Sequence, residues 1–488
     1  MLQRALSYRK YSLLRVNDPG DPHLRKAINE NFVVNRKVST RVRGRTKYTI
    51  VPEPCFQVFD DDNGGKYYLI GYGFIDKLCA LFEVYGYELD CIDINPVTKQ
   101  SAKRFIPDQK FLAKTKWRDN QLDIITDLMS HDTGQYVAAT GAGKSYIIRK
   151  LCKIYPKAKF LITTYSQSVL KDLWEDVSLK GGVDAGIYCS SKKQPGGRVQ
   201  FCSIGCLSEF LDEEWDFLLL DEKHECATIK RMQPLMAVDC RRAFAFSANH
   251  DDRNDDADPW LEYVFGDNRV QSTYLQSVDQ NDIVPVKVNW VRVKNETFPD
   301  VNPSSPGFER EVFWQHETRN QIIAELALDR MQKQQTLVYA KTLEHVYVLR
   351  KLLDCPVAHA EPTKDRWAEL ILQGLVDPSE ERPKRKDLEQ TKLDFSEGKI
   401  QLAICNSVWK RGVNFPALKT LIRADGGSSH QDSTQIPGRL TRLYKGKKYG
   451  ELIDFIDEFH DSTRGRASKR KASYDEIGYE QPKWRDVK

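Results

Sequence analysis

Tyr136-Val137-Ala138-Ala139-Thr140-Gly141-Ala142-Gly143-Lys144-Ser145 is the stretch whose reading decides the rest of the chain. An apolar run, a glycine-punctuated turn and then Ile147, Ile148, Leu151, Ile154 and Tyr155 at helical spacing describe a strand, a loop and a helix. That order suits a phosphate chain. It supplies backbone N–H groups open to close approach, a helix N-terminus, the Lys144 ammonium and the Ser145 hydroxyl for Mg²⁺. Against the pattern G-x-x-x-x-G-K-[ST] only the first position departs, where Ala138 replaces glycine and the strand exit has to accept a Cβ. An ordinary glycine turn before a helix has the same local appearance, so the flanking chain has to discriminate.

Outward from this loop, apolar segments and helical patterns alternate. Phe160-Thr164, a helix through Leu170-Trp174, Val199-Ile204, Phe217-Leu220 and Ala243-Phe246 imply a buried parallel sheet of the doubly wound type. A second set follows in Thr336-Ala340, the helix Glu344 to Leu353, Gln401-Cys405, Leu421-Ala424 and Leu452-Phe455. Two α/β domains are therefore expected, joined within Val286 to Pro306, where Pro299, Pro303 and Pro306 break the pattern. Directly after the apolar Leu218-Leu219-Leu220 stand Asp221-Glu222-Lys223-His224. Two carboxylates at the end of such a strand can hold Mg²⁺ and handle the attacking water of nucleoside triphosphate hydrolysis. Much later, Gln435-Ile436-Pro437-Gly438-Arg439-Leu440-Thr441-Arg442 places two arginines three apart, on one face if the segment is helical. Guanidinium groups aimed at a γ-phosphate would stabilise its transition-state charge, whereas a solvated basic face would do nothing of the kind.

The 488 residues suit about three domains, and 40% hydrophobic with 29% charged residues describe a soluble globular protein. No apolar run nears the length of a membrane span and no secretory h-region is visible, so a cytoplasmic location is expected. The eleven cysteines are scattered singly, which reads as buried free thiols and excludes a zinc-spaced cluster. A net charge of +5 leaves any polyanion to local patches. Residues 1–112 read as a small α+β domain with a helix from His23 to Asn31, a hairpin of Phe56-Phe59 with Lys66-Ile70 across an Asp/Gly turn, and a helix from Phe74 to Tyr85. Arg36, Lys37, Arg41, Arg43, Arg45 and Lys47 are candidate phosphate contacts, with a solvated loop as the other reading. The segment between Ala360 and Phe395 reads as an insertion, and residues 461–488 as a flexible basic tail.

In this order the motifs resemble superfamily 2 helicases and translocases over Trp117 to about Phe455. Arg118-x-x-Gln121 looks like the adenine-reading motif, Thr140 to Ser145 like motif I, Thr163-Thr164-Tyr165-Ser166 like motif Ia, and Asp221 to His224 like a DExH motif II. Ser247-Ala248-Asn249 is similar to motif III, Asn406 to Asn414 to motif V, and Gln435 to Arg442 to motif VI. The resemblance implies two RecA-like doubly wound domains, 113–290 and 291–460, after the N-terminal domain, with ATP and Mg²⁺ as cofactors. It implies that Thr140, Gly141, Ala142, Gly143 and Lys144 hold ATP, that Gln121 reads adenine, and that Ser145 and Asp221 serve Mg²⁺. Glu222 would be the base, Arg439 and Arg442 the arginine fingers, and His224, Ser247, Gln435, Arg411 and Gly412 would couple the domains. Asn249, Asn406 and Asn414 depart from the usual Thr, Thr and acidic residue, which weakens the expected coupling more than hydrolysis itself.

The N-terminal pattern Phe59 to Leu69, Gly71-x-Gly73 and the helix to Tyr85-Gly86-Tyr87 is most similar to UvsW-type phage recombination helicases. That likeness implies a DNA helicase or translocase acting on forks and junctions, with phage recombination or single-strand-binding proteins as candidate partners. An RNA-dependent ATPase, and a nucleic-acid-binding protein with an uncoupled ATPase, share the same motifs.

Overall fold

A computed structural model of the chain describes residues 2–8, 13–42, 45–62, 64–93, 102–117, 121–139, 141–248, 258–294, 301–305, 307–409 and 413–482. The chain divides into two units, residues 1–138 with 143–272 and residues 139–142 with 273–488.

The first unit begins with seven strands, Leu2–Tyr8 (β1), Leu13–Asn17 (β2), Val33–Val42 (β3), Arg45–Pro54 (β4), Phe56–Asp60 (β5), Lys66–Gly71 (β6) and Glu88–Asp93 (β7). Five of them form a sheet in the order β5-β6-β2-β1-β7, and β3 and β4 make a separate antiparallel ribbon. The expected hairpin is present, with Phe56 opposite Ile70 and Asp60 opposite Lys66. Alternation does the sorting in β2 and β6, where Leu14, Val16, Tyr68 and Ile70 are buried and Leu13, Arg15, Tyr67 and Leu69 are only partly so. The expected helices run over Pro22–Asn31, capped by the Asp21 carboxylate at the His23 and Leu24 amides, and over Ile75–Val84, which buries Leu78 and Phe82. Their apolar faces join Trp260, Leu261, Val264 and Phe265 of the helix Asp258–Phe265 in one core. The small domain thus shares its hydrophobic interior with the sheet that follows.

That sheet contains Thr133–Ala138 (β8), Phe160–Thr164 (β9), Gly186–Cys189 (β10), Lys192–Gln194 (β11), Val199–Ser203 (β12), Trp215–Leu220 (β13), Cys240–Ser247 (β14) and Arg269–Ser272 (β15). Its order is β11-β10-β12-β9-β13-β14-β8-β15, parallel throughout except for the β10–β11 pair. Strands β8, β9, β12 and β13 are buried along their whole length, as strands covered on both faces must be.

The second unit holds an all-parallel sheet of Val286–Val293 (β16), Thr336–Tyr339 (β17), Val357–Ala358 (β18), Leu402–Cys405 (β19), Thr420–Arg423 (β20) and Gly450–Asp457 (β21), in the order β16-β21-β20-β17-β19-β18. Three expectations change here. The division placed at residue 290 falls inside β16, whose Val286 to Val293 pair with Gly450 to Asp457, so the second unit takes in this strand. The presumed insertion between residues 361 and 394 is largely helical, over Lys364–Leu372 and Arg385–Ser396, and buries Trp367, Leu370 and Phe395.

The third change concerns the tail. Residues Asp461–Ile477 form a helix with Thr463, Ala467, Arg470 and Tyr474 on its buried face. Arg470 donates to both Asp454 oxygens at 3.1 and 3.0 Å and to the carbonyls of Gly427 and Phe455. Tyr474 donates to Asp454 at 2.7 Å and accepts from Arg423 at 2.8 Å, while Glu480 exchanges backbone hydrogen bonds with Val286 and Val288 at the sheet edge. An arginine on a helix reads as solvated unless a buried carboxylate awaits it, and here one does. Arg470→Ala leaves Asp454 buried without its cation, and a loss of about 3–5 kcal/mol is expected in denaturant unfolding of the full chain.

Candidate functional site

The expected phosphate loop leaves β8 and enters the helix Lys144–Ile154. Gly141 and Gly143 adopt φ of +96° and +99°, which L residues avoid, so two glycines of this turn are required by its path. Lys144 sits in the first turn of the helix, its ammonium 3.2 Å from the Ala138 carbonyl. Ser145 follows it, half-buried. Gln121, 1% exposed at the start of the helix Gln121–Met129, lies against the loop: a Cβ on Gly143 would meet its Nε2 at 3.4 Å. Thr140 lies outside the described residues, as does Arg118.

In the sheet β13 and β8 are separated only by β14, so Asp221 and Glu222 emerge near the end of the phosphate-loop strand. Asp221 is buried, and its Oδ1 has no hydrogen-bond partner. Burial pushes this carboxyl up to about 7, the Glu222 charge adds to the rise and the Lys144 ammonium opposes it. A buried carboxylate oxygen without a donor is the environment a divalent cation completes, so Asp221 with Ser145 fits Mg²⁺, and a glycine turn leading into Lys144 suits a triphosphate. Glu222 has φ +54° and ψ +50°, a left-handed backbone that costs a non-glycine residue of order 1–3 kcal/mol. His224 Nδ1 lies 3.0 Å from Ser247 Oγ at the end of β14 and 3.5 Å from Glu222 Oε2. Two of the residues expected to couple are therefore in contact with each other, and one of them reaches the proposed base.

In the second unit Gln435 closes the helix His430–Gln435 and is buried. The arginines behind it do not lie on an α-helix. The segment Pro437–Thr441 is a 3₁₀ turn, and Arg442 follows it in extended conformation at ψ 134°. Pro437 ends the preceding helix, and the tighter turn redirects the chain. Arg439 is 9% exposed and donates to the Val413 carbonyl at 2.7 Å, which ties motif VI to the backbone of the motif V segment. Arg411 and Gly412 of that segment lie outside the described residues.

Of the six N-terminal cations, Arg43 lies outside the described residues. The others fall on β3 and β4, where the register puts Lys37 opposite Ile50, Arg41 opposite Thr46, Thr40 opposite Lys47 and Val42 opposite Arg45. The stretch is a two-stranded ribbon, not a loop leading into the Phe56 hairpin. Two buried polar residues beside the site carry no motif signature: Lys223, and Gln135 in the otherwise largely apolar β8. A glutamine within a strand that must be covered on both faces was the available sign.

The sheets define a fold class, an α/β fold with two RecA-like parallel-sheet domains, and solved structures share it. A fragment of a putative HsdR subunit of a type I restriction enzyme from Vibrio vulnificus YJ016 superposes at TM-score 0.52 with 16% identity, over 94% of this chain and 95% of that one. Dbp5 from S. cerevisiae, bound to RNA and ADP BeF3, gives TM-score 0.53 with 13% identity over 76% of this chain and 91% of its own. UvsW of T4 aligns over 99% of both chains with 13% identity and a TM-score of 0.39. No protein-family model and no curated protein matches the sequence. Among the described residues no helix is long and apolar enough to cross a membrane.

Proposed function

We propose that the chain is an ATP-driven DNA helicase or translocase that remodels branched DNA, by fork regression or branch migration, in phage recombination, replication or repair. The observation that carries the hydrolytic half is the buried, unpartnered Asp221 oxygen beside Glu222 in the same sheet as the Lys144 loop. Mg²⁺ bound there would neutralise charge on the transferring phosphoryl group. The chain's own residues do the remainder. Lys144 and the amides of the glycine turn orient the outer phosphates, Glu222 takes the proton of the attacking water, and His224, whose Nδ1 meets Ser247, stands beside the Glu222 carboxylate. Arg439 and Arg442 supply positive charge to the transition state.

The choice of DNA rests on the N-terminal likeness to UvsW-type helicases and on the basic β3–β4 ribbon. Binding of duplex arms at increasing salt tests it: each of Arg36, Lys37, Arg41, Arg43, Arg45 and Lys47 that meets a phosphate contributes about 0.9 to the salt slope, so each such replacement flattens the slope by that amount. A slope unchanged by all six replacements removes the ribbon from the interface. The deciding comparison is ATPase stimulation by single-stranded, duplex and forked DNA and by RNA. Forked DNA is expected to stimulate most, and stronger stimulation by RNA would favour the RNA-motor reading, whose fold counterpart is the RNA-bound Dbp5.

A further inference from the structure

Lys223 stands between Glu222 and His224 and is only 1% exposed. Its ammonium donates to Gln135 Oε1 at 2.5 Å. Gln135, also 1% exposed, lies on β8 three residues before Ala138 and donates through Nε2 to the Gly266 carbonyl. With its two amide ends committed to different partners, the glutamine has a single orientation.

Gly266 follows the helix Asp258–Phe265 at φ +69°, and a Cβ there would meet Thr133 Oγ1 at 2.6 Å. Its other neighbour is the N-terminal domain. A Cβ on Gly73 would lie 1.9 Å from the Glu262 carbonyl and 2.6 Å from the Gly266 nitrogen, so the two backbones meet with no side chain between them. Lys77 and Glu262 pair at 3.6 Å beside this contact. All these groups belong to the first unit. A continuous line of packed backbone and hydrogen bonds therefore runs from Gly73 through Gly266 and Gln135 to Lys223 and the left-handed Glu222.

Burying an ammonium costs desolvation that a methionine of similar length would avoid. The charge adds what packing alone does not, a fixed separation between the motif II turn and the phosphate-loop strand. It also anchors a backbone conformation that Glu222 would otherwise leave at a gain.

We infer that Lys223 and Gln135 are positioning residues for hydrolysis, and that they transmit the seating of the N-terminal domain on helix Asp258–Phe265 to the turn that carries Glu222. This rests on the hydrolytic reading above. The test is steady-state ATPase of the full chain with forked DNA. Lys223→Met is expected to lower kcat by roughly 10- to 100-fold, the scale of a misplaced catalytic group, with KM for ATP changed little. Gly73→Ala, which wedges the two backbones apart, should lower kcat several-fold in the parent chain and add nothing in the Lys223→Met background. Gln135→Met repeats the cycle if Lys223→Met shows no cooperative thermal melt. Unchanged kcat in both Lys223→Met and Gln135→Met, or a Gly73→Ala effect that multiplies fully with either, overturns the inference. Hydrolysis that survives in Lys144→Ala instead overturns the hydrolytic reading, so the two failures are distinguishable.

Discussion

Lys144→Ala is expected to show no ATP turnover above background, while binding of nucleic acid largely survives. The lysine opens the helix behind a turn with two left-handed glycines, and its charge is the one that already acts on Asp221. Without it the outer phosphates lose their cation and Asp221 loses the nearby charge that favours its ionised form. Glu222→Gln should behave differently. Asp221 and Lys144 remain, so ATP still binds, but a glutamine cannot take a proton, and kcat should fall on the order of 10²–10⁴-fold. The pair is measured by nucleotide affinity and single-turnover hydrolysis on the same preparations. Equal loss of ATP affinity in both variants would mean that the two carboxylates do not divide the work as proposed, and robust turnover in Lys144→Ala would remove the loop from the chemistry.

What could be read beforehand follows the physics of burial. Strands β9, β12, β13, β17, β19 and β20 are short and mainly apolar runs between helical patterns, and a strand covered on both faces has to look like that. The Gly141–Lys144 turn and the carboxylates after β13 are legible as candidates because the chemistry proposed for them demands glycine, lysine and acid at fixed spacings. Where polar groups are buried in pairs the reading failed. Arg470 and Tyr474 meet a carboxylate supplied from β21, which no local pattern reveals, so a core helix reads as a tail in the sequence. Strand β16 failed for a related reason. Its Lys287, Asn289 and Arg292 dilute the apolar signal, and these polar residues pair with Glu480, Glu451 and Glu458, far along the chain. Lys223 belongs with them: it is a charge inside a motif read only for its neighbours.

Arg439→Ala and Arg442→Ala are each expected to lower kcat by about 10³–10⁵, the scale of an arginine finger, with a smaller change in ATP affinity. The geometry makes the two unequal in other respects. Arg439 is nearly buried and its guanidinium holds the Val413 carbonyl, so its removal also strands a backbone acceptor and should cost about 1–3 kcal/mol of stability. Arg442 lies beyond the 3₁₀ turn and is partly exposed. Arg439→Lys separates charge from shape. An ammonium keeps the positive charge but not the planar fork that can hold a carbonyl and a phosphate oxygen together, so partial recovery of stability with little recovery of kcat is expected. Full kcat in both alanine variants would leave motif VI with a structural role only. Loss confined to Arg439, in proportion to its melting temperature, would assign the effect to the Val413 contact and leave the transition-state charge to other cations.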